Sequence, residues 1–586
     1  MNEEEGNNRR TLLAAVLCMG LYVVWQTVFP PPPLPTENGA KEEVAVAAAA
    51  ETSSTSTAEP RPATSTSTSA GTVLAGTTGI DPSVVRFEGG VEVDGDTVPY
   101  ELELTNVGGG IEDFVLSGFK ERVSGDKDEA PPVSLADPLS NAPPASLAFG
   151  QMAGIEFGGA STFALPAKPV YEVVESTEDK VRYRFVTSSG VAVERTYFVD
   201  PRSFAVGMTV EVTNGSARPQ THQLEIAAAL ATNDATRQDG GWFSGMSAYG
   251  DHLEGLCQTE GSVKRKNVQK LADGETQRYE EDVSWVGIDR QYFLAAIVDR
   301  DPAGSKASCR LEGQEETARA VLVLPPVELP PGGSKSHEFT AYLGIKKPGV
   351  LSAVEPDLAR AINYTVLGIN FAPLCEALLW VLRLIHGVTG SWGLAIIGLT
   401  VLIKTLLFPL GHKQGKSARA MAALRPEQER IKEEFADDRQ RQNEEMMRLF
   451  KEHNVNPVSG CLPALVQLPI FFSLYRALWV STDIYQQGFL WIGDLTSADP
   501  YFILPLILMA VTFLQQKIMP MAMDPAQQKI MMYVMPLMLG SIFMAVPAGL
   551  ALYMLVNSVL SVLQQHFINV TLGPLPGPSA AAAAKS

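Results

Sequence analysis

Apolar and polar residues follow three different patterns along the chain. Residues 11–29 form a largely apolar run. Residues 78–345 contain short stretches in which apolar and polar positions alternate between Gly, Pro, Asn and Asp, as half-buried β-strands do. Beyond residue 353 come apolar segments about as long as a bilayer is thick. The pattern predicts an apolar anchor, a large all-β domain and a group of membrane helices.

The all-β prediction depends on stretches such as "VRYRFVTSSGVAVERTYFVD", which alternates on either side of Ser188–Gly190 as a hairpin does. We therefore predict one large β-sandwich over residues 78–345. Its acidic residues are scattered as on a solvated surface, and we find no catalytic constellation in it.

The N-terminal apolar run differs from a cleaved signal peptide. It follows Arg9 and Arg10, is longer than an ordinary signal core and ends in "PPPPLP" without a small-residue cleavage site. We predict a transmembrane anchor over 11–29 after a cytoplasmic N-terminus, residues 1–10. Residues 30–77 are of low complexity, rich in Ala, Ser, Thr and Pro, and predict a flexible linker.

Five later segments are apolar enough to cross a bilayer, which makes six transmembrane helices with the anchor. We place them at residues 391–411, 461–480, 500–517, 529–546 and 548–567. A preceding helix over residues 357–388 carries Glu376 and Arg383 seven residues apart on one face. We predict that this amphipathic helix lies in the membrane interface.

Charge in the connecting segments predicts the orientation. Residues 412–460 contain ten Lys and Arg residues, whereas 481–500 contain none and three Asp residues. The basic segment is therefore predicted to be cytoplasmic, as a hairpin of two helices broken at "ADD". This places the C-terminal tail, 568–586, in the cytoplasm with the N-terminus, and the β domain outside.

Composition excludes several classes of site. Of the net charge of −19, −16 lies in residues 71–350, so the acidity belongs to the β domain and we predict no specific nucleic-acid readout. The five cysteines and seven histidines form no metal-like cluster, and "GHKQGKS" (411–417) is one residue short of a phosphate loop. We predict no metal, cofactor or catalytic residue. Cys257 and Cys309 are more simply explained as free thiols, with a disulfide as the alternative if their domain is extracytoplasmic.

Polar side chains recur inside the predicted spans and suggest a polar groove. Among these residues Lys404 has the largest free-energy cost of membrane insertion, about 2.5–3.5 kcal/mol for a charge at the centre of a membrane helix. The other candidates are Thr400, one turn from Lys404, Gln467, and the stripe Tyr553, Asn557, Ser561 and Gln564 on the last span. The alternatives are hydrogen bonds within a tight bundle and, for Lys404, a side chain that extends to the headgroups.

Methionines concentrate near the fourth and fifth predicted spans, around a repeated "QQKIM". Flexible thioethers suit a surface that accepts many apolar shapes, although methionine is more often a gap filler. The candidates for an apolar substrate slide or cytoplasmic loop are Met519, Met521, Met523 and Met531.

Two stretches carry a family resemblance. "LRPEQERIKEEFADDRQRQNEEMMRLFKEHNVNPVSGCLPALVQLPIFFSLYRAL" and "DPAQQKIMMYVMPLMLGSIFMAVPAGLALYMLVNSVLSVLQQ" resemble the YidC/Oxa/Alb membrane protein insertases, and "SWVGIDRQYFLAAIV" resembles the periplasmic domain of the Gram-negative members. The resemblance implies a polytopic α-helical protein of the bacterial inner membrane, with a five-helix insertase core and a periplasmic β-supersandwich. It also implies that nascent inner-membrane proteins are inserted and helped to fold through a hydrophilic groove open to the cytoplasm and the lipid bilayer.

The resemblance also implies roles for residues and partners. Lys404 stands where the family generally has an arginine in the groove, and Thr400 and Gln467 match groove-lining positions. Met554 departs from the family, where a tyrosine often follows the one that corresponds to Tyr553. Implied partners are the Sec translocon and, less directly, the ribosome or the signal recognition pathway.

Two other classes of function remain as alternatives. An ion- or proton-coupled transporter would need carboxylates inside the spans and related halves, but the predicted crossing segments contain no Asp or Glu. A membrane-anchored periplasmic protein that binds or modifies carbohydrate would explain a sandwich domain and leave five further spans unexplained.

Overall fold

The structure is a computed structural model that describes part of the chain. It describes residues 80–120, 131–136, 151–231, 253–259, 261–267, 276–280, 282–301, 306–314, 317–366, 369–453, 462–518 and 525–572. The predicted N-terminus, anchor and linker lie outside these residues, as do Met519, Met521, Met523 and residues 573–586 of the tail.

The region predicted to be all-β carries strands throughout its described residues. They are β1 Val84–Val93, β2 Asp96–Thr105, β3 Ile111–Lys120, β4 Pro132–Ser134, β5 Gly154–Phe157, β6 Glu172–Ser176, β7 Lys180–Val186, β8 Val191–Val199, β9 Ala205–Asn214, β10 Gln220–His222, β11 Leu224–Ala231, β12 Leu253–Thr259, β13 Ser262–Asn267, β14 Gln277–Tyr279, β15 Trp285–Arg290, β16 Phe293–Asp299, β17 Ser308–Gln314, β18 Thr317–Val323, β19 Val327–Leu329 and β20 Ser334–Ile345. The alternating burial along β8 and β9 reflects the alternation in the sequence.

Two large antiparallel sheets form the sandwich. One has nine strands in the order β13-β12-β15-β16-β20-β9-β8-β7-β6, and the other has five in the order β14-β17-β18-β11-β5. They pack through β11, β12, β15, β16, β17 and β18, and a further sheet contains β1 to β4. The prediction of a β-sandwich is confirmed, and β7 and β8 form the hairpin predicted around Ser188–Gly190.

A disulfide joins Cys257 to Cys309, which corrects the preference for free thiols. Cys257 lies on β12 and Cys309 on β17, in different sheets, and both side chains are buried. The spacing of 52 residues gave no sign of this contact, because the pairing depends on how the two sheets face each other.

A buried pair of histidines connects β10 with β20. The Nε2 atoms of His222 and His337 lie 3.0 Å apart, so one ring donates a hydrogen bond to the other. Burial lowers the pKa of each imidazole to about 4, and the positive charge of Lys335 adds to the effect on both, while Asp301 opposes it at His337.

We expect this pair to make stability fall in mild acid. Between pH 6.5 and 4 the unfolded chain binds protons that the folded pair does not, so the free energy of unfolding should fall as the pH is lowered, by about 5 kcal/mol for the two imidazoles together. Thermal unfolding of the detergent-solubilised protein from pH 7.5 to 4.5 measures this. The double variant His222→Leu, His337→Leu removes both partners and should show a shallower pH dependence; equal slopes would contradict the prediction.

Helices dominate the chain after β20. They are α1 Pro348–Val354, a 3₁₀ helix Pro356–Ala361, α2 Ala372–Thr389, α3 Trp392–Ala423, α4 Arg425–Glu434, α5 Arg439–Glu452, α6 Leu462–Val480, α7 Ile503–Ile518, α8 Pro525–Phe543 and α9 Ala548–Leu572, with short strands β21 Thr365–Val366 and β22 Ile369–Asn370 before α2. Within the described residues, α2, α3 and α9 are long and apolar enough to cross a membrane, whereas α7 and the described apolar parts of α6 and α8 are shorter. A helix overlaps each of the five predicted C-terminal spans, but α7 begins at Ile503, after the predicted start at 500, and α8 ends at Phe543, before the predicted end at 546. The membrane position of the helices stays a prediction.

The prediction of a helix over residues 357–388 is wrong at its start. The 3₁₀ helix and the β21–β22 hairpin occupy its first part, and α2 begins only at Ala372. The Asn370 side chain accepts a hydrogen bond from the Ala372 backbone at 2.9 Å, and Pro373 stands in the first turn, so local capping chemistry sets the start.

Helix α3 runs twelve residues beyond the predicted end at 411. Pro409 lies inside it, and the helix continues through Gly411 and Gly415 to Ala423. The residues predicted to begin the basic hairpin therefore belong to α3. The two hairpin helices follow as α4 and α5, and the break at "ADD" falls between them, as predicted.

The segment 481–502 between α6 and α7 connects the helices to the β domain. Asp483 accepts from Lys347 at 2.8 Å and from Arg383 of α2 at 2.7 Å. Burial opposes its ionisation, but Arg383 and Lys347 outweigh burial and hold the pKa of Asp483 below its usual value. Tyr485 packs on Tyr292 with the ring centroids 4.4 Å apart. The end of the helices at this segment therefore faces the β domain.

Candidate functional site

A polar cavity lies among α3, α6, α7 and α9. Its volume is about 140 Å³, enough for several water molecules. It is lined by Lys404, Leu407, Leu410, Gly411, Gln414, Gln467, Gln515, Ser561, Gln564, Gln565 and Ile568. The lining residues lie towards the hairpin end of α3 and the C-terminal part of α9, away from segment 481–502.

Lys404 contributes the positive charge of this cavity. Its ammonium donates to Ser561 Oγ at 2.8 Å, and Ser561 donates to the Asn557 carbonyl oxygen at 2.8 Å. None of the described residues forms an ion pair with Lys404, and the lining contains no carboxylate. The cavity therefore presents an ammonium group that is held by a neutral hydroxyl.

Carboxamides supply most of the remaining polarity. Gln467 on α6 donates to the hydroxyl of the fully buried Tyr553 on α9. Gln564 Nε2 donates to the Phe408 carbonyl oxygen of α3 at 3.3 Å. These bonds cross between helices and fix the directions of two lining amides.

The structure brings only some of the predicted groove residues to the cavity. Lys404, Gln467, Ser561 and Gln564 line it. Thr400 does not: it is 1% exposed, and its hydroxyl donates to the Ile396 carbonyl oxygen of its own helix at 2.7 Å.

Three further candidates, Tyr553, Asn557 and Met531, do not line the cavity. Tyr553 acts through Gln467, and Asn557 contributes its backbone carbonyl to Ser561. Met531 is half-buried on α8 and is not among the lining residues.

Three amides that line the cavity were not among the candidates predicted from the sequence, namely Gln414, Gln515 and Gln565. Gln414 completes a stripe with Lys404, Leu407 and Gly411 at i, i+3, i+7 and i+10. This signal was present in the sequence, but the predicted end of the span at 411 cut it off.

Two glycines allow α3 and α9 to approach closely at the cavity. Gly411 and Gly415 are four residues apart, a spacing that places small residues on one helix face. A β-carbon at Gly415 would lie 2.6 Å from Ile568 Cδ1, and one at Gly411 would lie 2.5 Å from Gln564 Nε2. The stretch that resembled a phosphate loop is thus a helix-packing motif.

We expect Gly415→Leu to push α9 away from α3 and deform the cavity. The β-carbon alone is too close to Ile568, and overpacking of this kind costs about 1–3 kcal/mol. Thermal unfolding in detergent measures the loss. The control is Gly387→Leu on α2, where a β-carbon meets no atom within 4 Å, so this variant should be neutral or slightly stabilising. An equal loss in both variants would contradict the packing role.

The end of the helix group opposite the cavity is tightly packed. Gly393, at the start of α3, lies against the Phe489 ring, closer than a β-carbon would allow. The backbone N–H of Ala548 donates to the Ser497 carbonyl oxygen at 2.6 Å. Segment 481–502 thus covers the starts of α3 and α9.

Comparisons with known proteins cover both regions of the chain. The family model described as 60Kd inner membrane protein matches residues 384–573, and that described as YidC periplasmic domain matches residues 91–380.

Relatives of this chain include proteins named membrane protein insertase YidC from two bacteria. The one from Anaeromyxobacter dehalogenans (strain 2CP-C) is 35% identical over 579 residues, which cover 98% of this chain and 99% of the relative. The one from Syntrophus aciditrophicus (strain SB) is 31% identical over 487 residues, 82% of this chain and 85% of the relative. A solved structure described as an active YidC insertase with its first transmembrane domain resolved is 18% identical, covers 82% of this chain and 95% of that chain, and gives a TM-score of 0.34.

The match to the first relative extends over nearly the whole of both chains, and the two family models together include the β domain and the helices around the cavity. The chain therefore belongs to the YidC family of membrane protein insertases.

Proposed function

We propose that this protein inserts nascent membrane proteins into the bilayer through the cavity around Lys404. The observation that carries the proposal is a polar cavity among apolar helices, with an ammonium group and no carboxylate in its lining. A polar segment that must cross a bilayer loses its hydration, and a polar, wettable cavity lowers that cost over part of the path.

Lys404 attracts acidic side chains of the client in this mechanism. Opposite charges about 4 Å apart interact by about 4 kcal/mol at an effective dielectric constant of 20. The existing partner of Lys404, Ser561 Oγ, is neutral and can be displaced by a carboxylate. The client's apolar segment then moves sideways into lipid. No covalent step is required, so we propose that the protein acts as an insertase and folding chaperone without enzymatic chemistry.

We propose the bacterial inner membrane as its location, with both termini and the hairpin α4–α5 in the cytoplasm. The charge difference between 412–460 and 481–500 supports this orientation. The Cys257–Cys309 disulfide supports an oxidising, periplasmic position for the β domain. In this orientation the cavity is nearer the cytoplasm, and segment 481–502 closes the outer end.

Partners are proposed on the resemblance alone. They are the Sec translocon, which would pass segments sideways to the helices, and the ribosome or the signal recognition pathway. The hairpin α4–α5 offers the ribosome or the signal recognition pathway a polar surface of mixed charge.

A photoreactive residue at Gln467 or Gln564 tests the proposal. During synthesis of a short inner-membrane client, both positions should give adducts, because both side chains line the cavity. Leu563, the neighbour of Gln564, is 58% exposed outside the cavity and is the matched control. Thr400 is unsuitable because it is buried. Adducts at Leu563 that equal those at Gln564 would count against the cavity as the route.

A further inference from the structure

Five of the eleven residues that line the cavity are glutamines, and they come from four helices. They are Gln414, Gln467, Gln515, Gln564 and Gln565. Lys404 offers only donors, whereas a carboxamide offers two N–H donors and an acceptor oxygen. The lining thus has the donor and acceptor chemistry of the peptide group itself, in addition to a positive charge.

A single hydrogen bond to another protein group fixes the orientation of some of these carboxamides. Gln564 donates to the Phe408 carbonyl oxygen at 3.3 Å, and Gln565 donates to Asn569 Oδ1 at 3.0 Å. In each case the bond uses one donor of the carboxamide. An amide held in this way keeps a second donor and an oxygen for a ligand and loses less side-chain entropy when it binds.

Hydrogen bonds between helices explain some of the amides without any ligand. Gln564 joins α9 to α3, and Gln467 joins α6 to α9. The Gln515 side chain on α7 is different, because it lines the cavity and makes no hydrogen bond to any of the described residues. Gln516 beside it donates to Met535 Sδ at 3.6 Å and does not line the cavity.

A client segment that enters the membrane unfolded carries an unpaired N–H and C=O at nearly every residue. In hydrocarbon each unsatisfied group costs several kcal/mol, whatever the side chain. We infer that the glutamines bind the unpaired peptide backbone of the client's polar segment, independently of its side chains, while Lys404 adds a preference for acidic residues. This inference rests on the proposed insertase function.

An insertion assay with the full-length protein in proteoliposomes distinguishes backbone binding by the glutamines from the preference of Lys404 for acidic residues. Two clients share one apolar segment and carry tails of equal length, one of Gly and Ser only and one with added Asp. We expect Gln515→Met with Gln564→Met to reduce protease protection of both tails by the same factor, about tenfold for hydrogen bonds worth ~1.4 kcal/mol in total. Lys404→Ala should reduce mainly the acidic tail. Gln516→Met is the control and should insert both tails normally.

Replacement of peptide bonds in the Gly-Ser tail by esters, which removes N–H donors, tests the contact itself. It should weaken insertion by the wild type and add little to the loss in the double variant, as for two groups that interact. A loss confined to the acidic tail, or ester effects that simply add, would overturn backbone binding. If the double variant inserts both tails normally while Lys404→Ala impairs the acidic one, only this inference fails. If Lys404→Ala is also without effect, the proposed function fails with it.

Discussion

Lys404→Ala is expected to reduce insertion of a client with an acidic tail by at least about tenfold, a loss of ~1.4 kcal/mol or more. The substitution removes the ammonium that lies 2.8 Å from Ser561 Oγ, and with it the positive charge of the cavity lining. A neutral-tailed client should lose much less. Protease protection of the translocated tail in proteoliposomes measures both clients in the same preparation.

Lys404→Arg should preserve or improve the same activity. An arginine keeps the charge, stays protonated and adds a bidentate fork for carboxylates. Lys517→Ala is the matched control, because it removes a positive charge from an exposed position at the end of α7 that does not line the cavity. Normal insertion of the acidic-tailed client by Lys404→Ala would return the lysine to the alternative explanation, a side chain that extends to the headgroups.

The sequence predicted the parts of the fold that depend on periodicity. The alternation around Ser188–Gly190 and the apolar segments after residue 353 both led to the observed elements. The predictions failed where a boundary depends on contacts between elements. Glycine often marks the end of a helix, and the span was predicted to end at Gly411. Here α3 continues, because Gly411 and Gly415 pack against α9.

Contacts between helices also decide which residues of the candidate site could be predicted from the sequence. Lys404, Gln467, Ser561 and Gln564 could be found because a polar group in an apolar span is conspicuous. Thr400 looked equivalent in the sequence, but a threonine hydroxyl can bond to a carbonyl of its own helix, and only the structure shows that it does. Gln414 lies in the polar second half of α3 and Gln515 lies near the polar end of α7. An amide among other polar residues is inconspicuous in the sequence, and only the packing of the helices shows that it lines the cavity.

The second large effect is expected in the β domain. Loss of the Cys257–Cys309 disulfide should lower the free energy of unfolding of that domain by about 4 kcal/mol, the loop-entropy value for a sequence separation of 52. Thermal unfolding of the detergent-solubilised protein with and without reductant measures the loss. Cys257→Ala with Cys309→Ala should behave like the reduced wild type. The control is Cys375→Ala on α2, which removes a buried free thiol and should leave the response to reductant unchanged.

The disulfide also tests the orientation, because a bond between two sheets persists only in an oxidising compartment. In intact cells, an alkylating reagent added after denaturation should fail to label Cys257 and Cys309 unless a reductant comes first. Cys375 should be labelled without reductant. If Cys257 and Cys309 are labelled as readily as Cys375, then the domain is reduced in the cell, and both the stabilisation and the periplasmic position of the β domain are wrong. If the two cysteines are protected from labelling but loss of the disulfide leaves the free energy of unfolding unchanged, the periplasmic orientation stands. In that case packing alone holds the two sheets of the sandwich together.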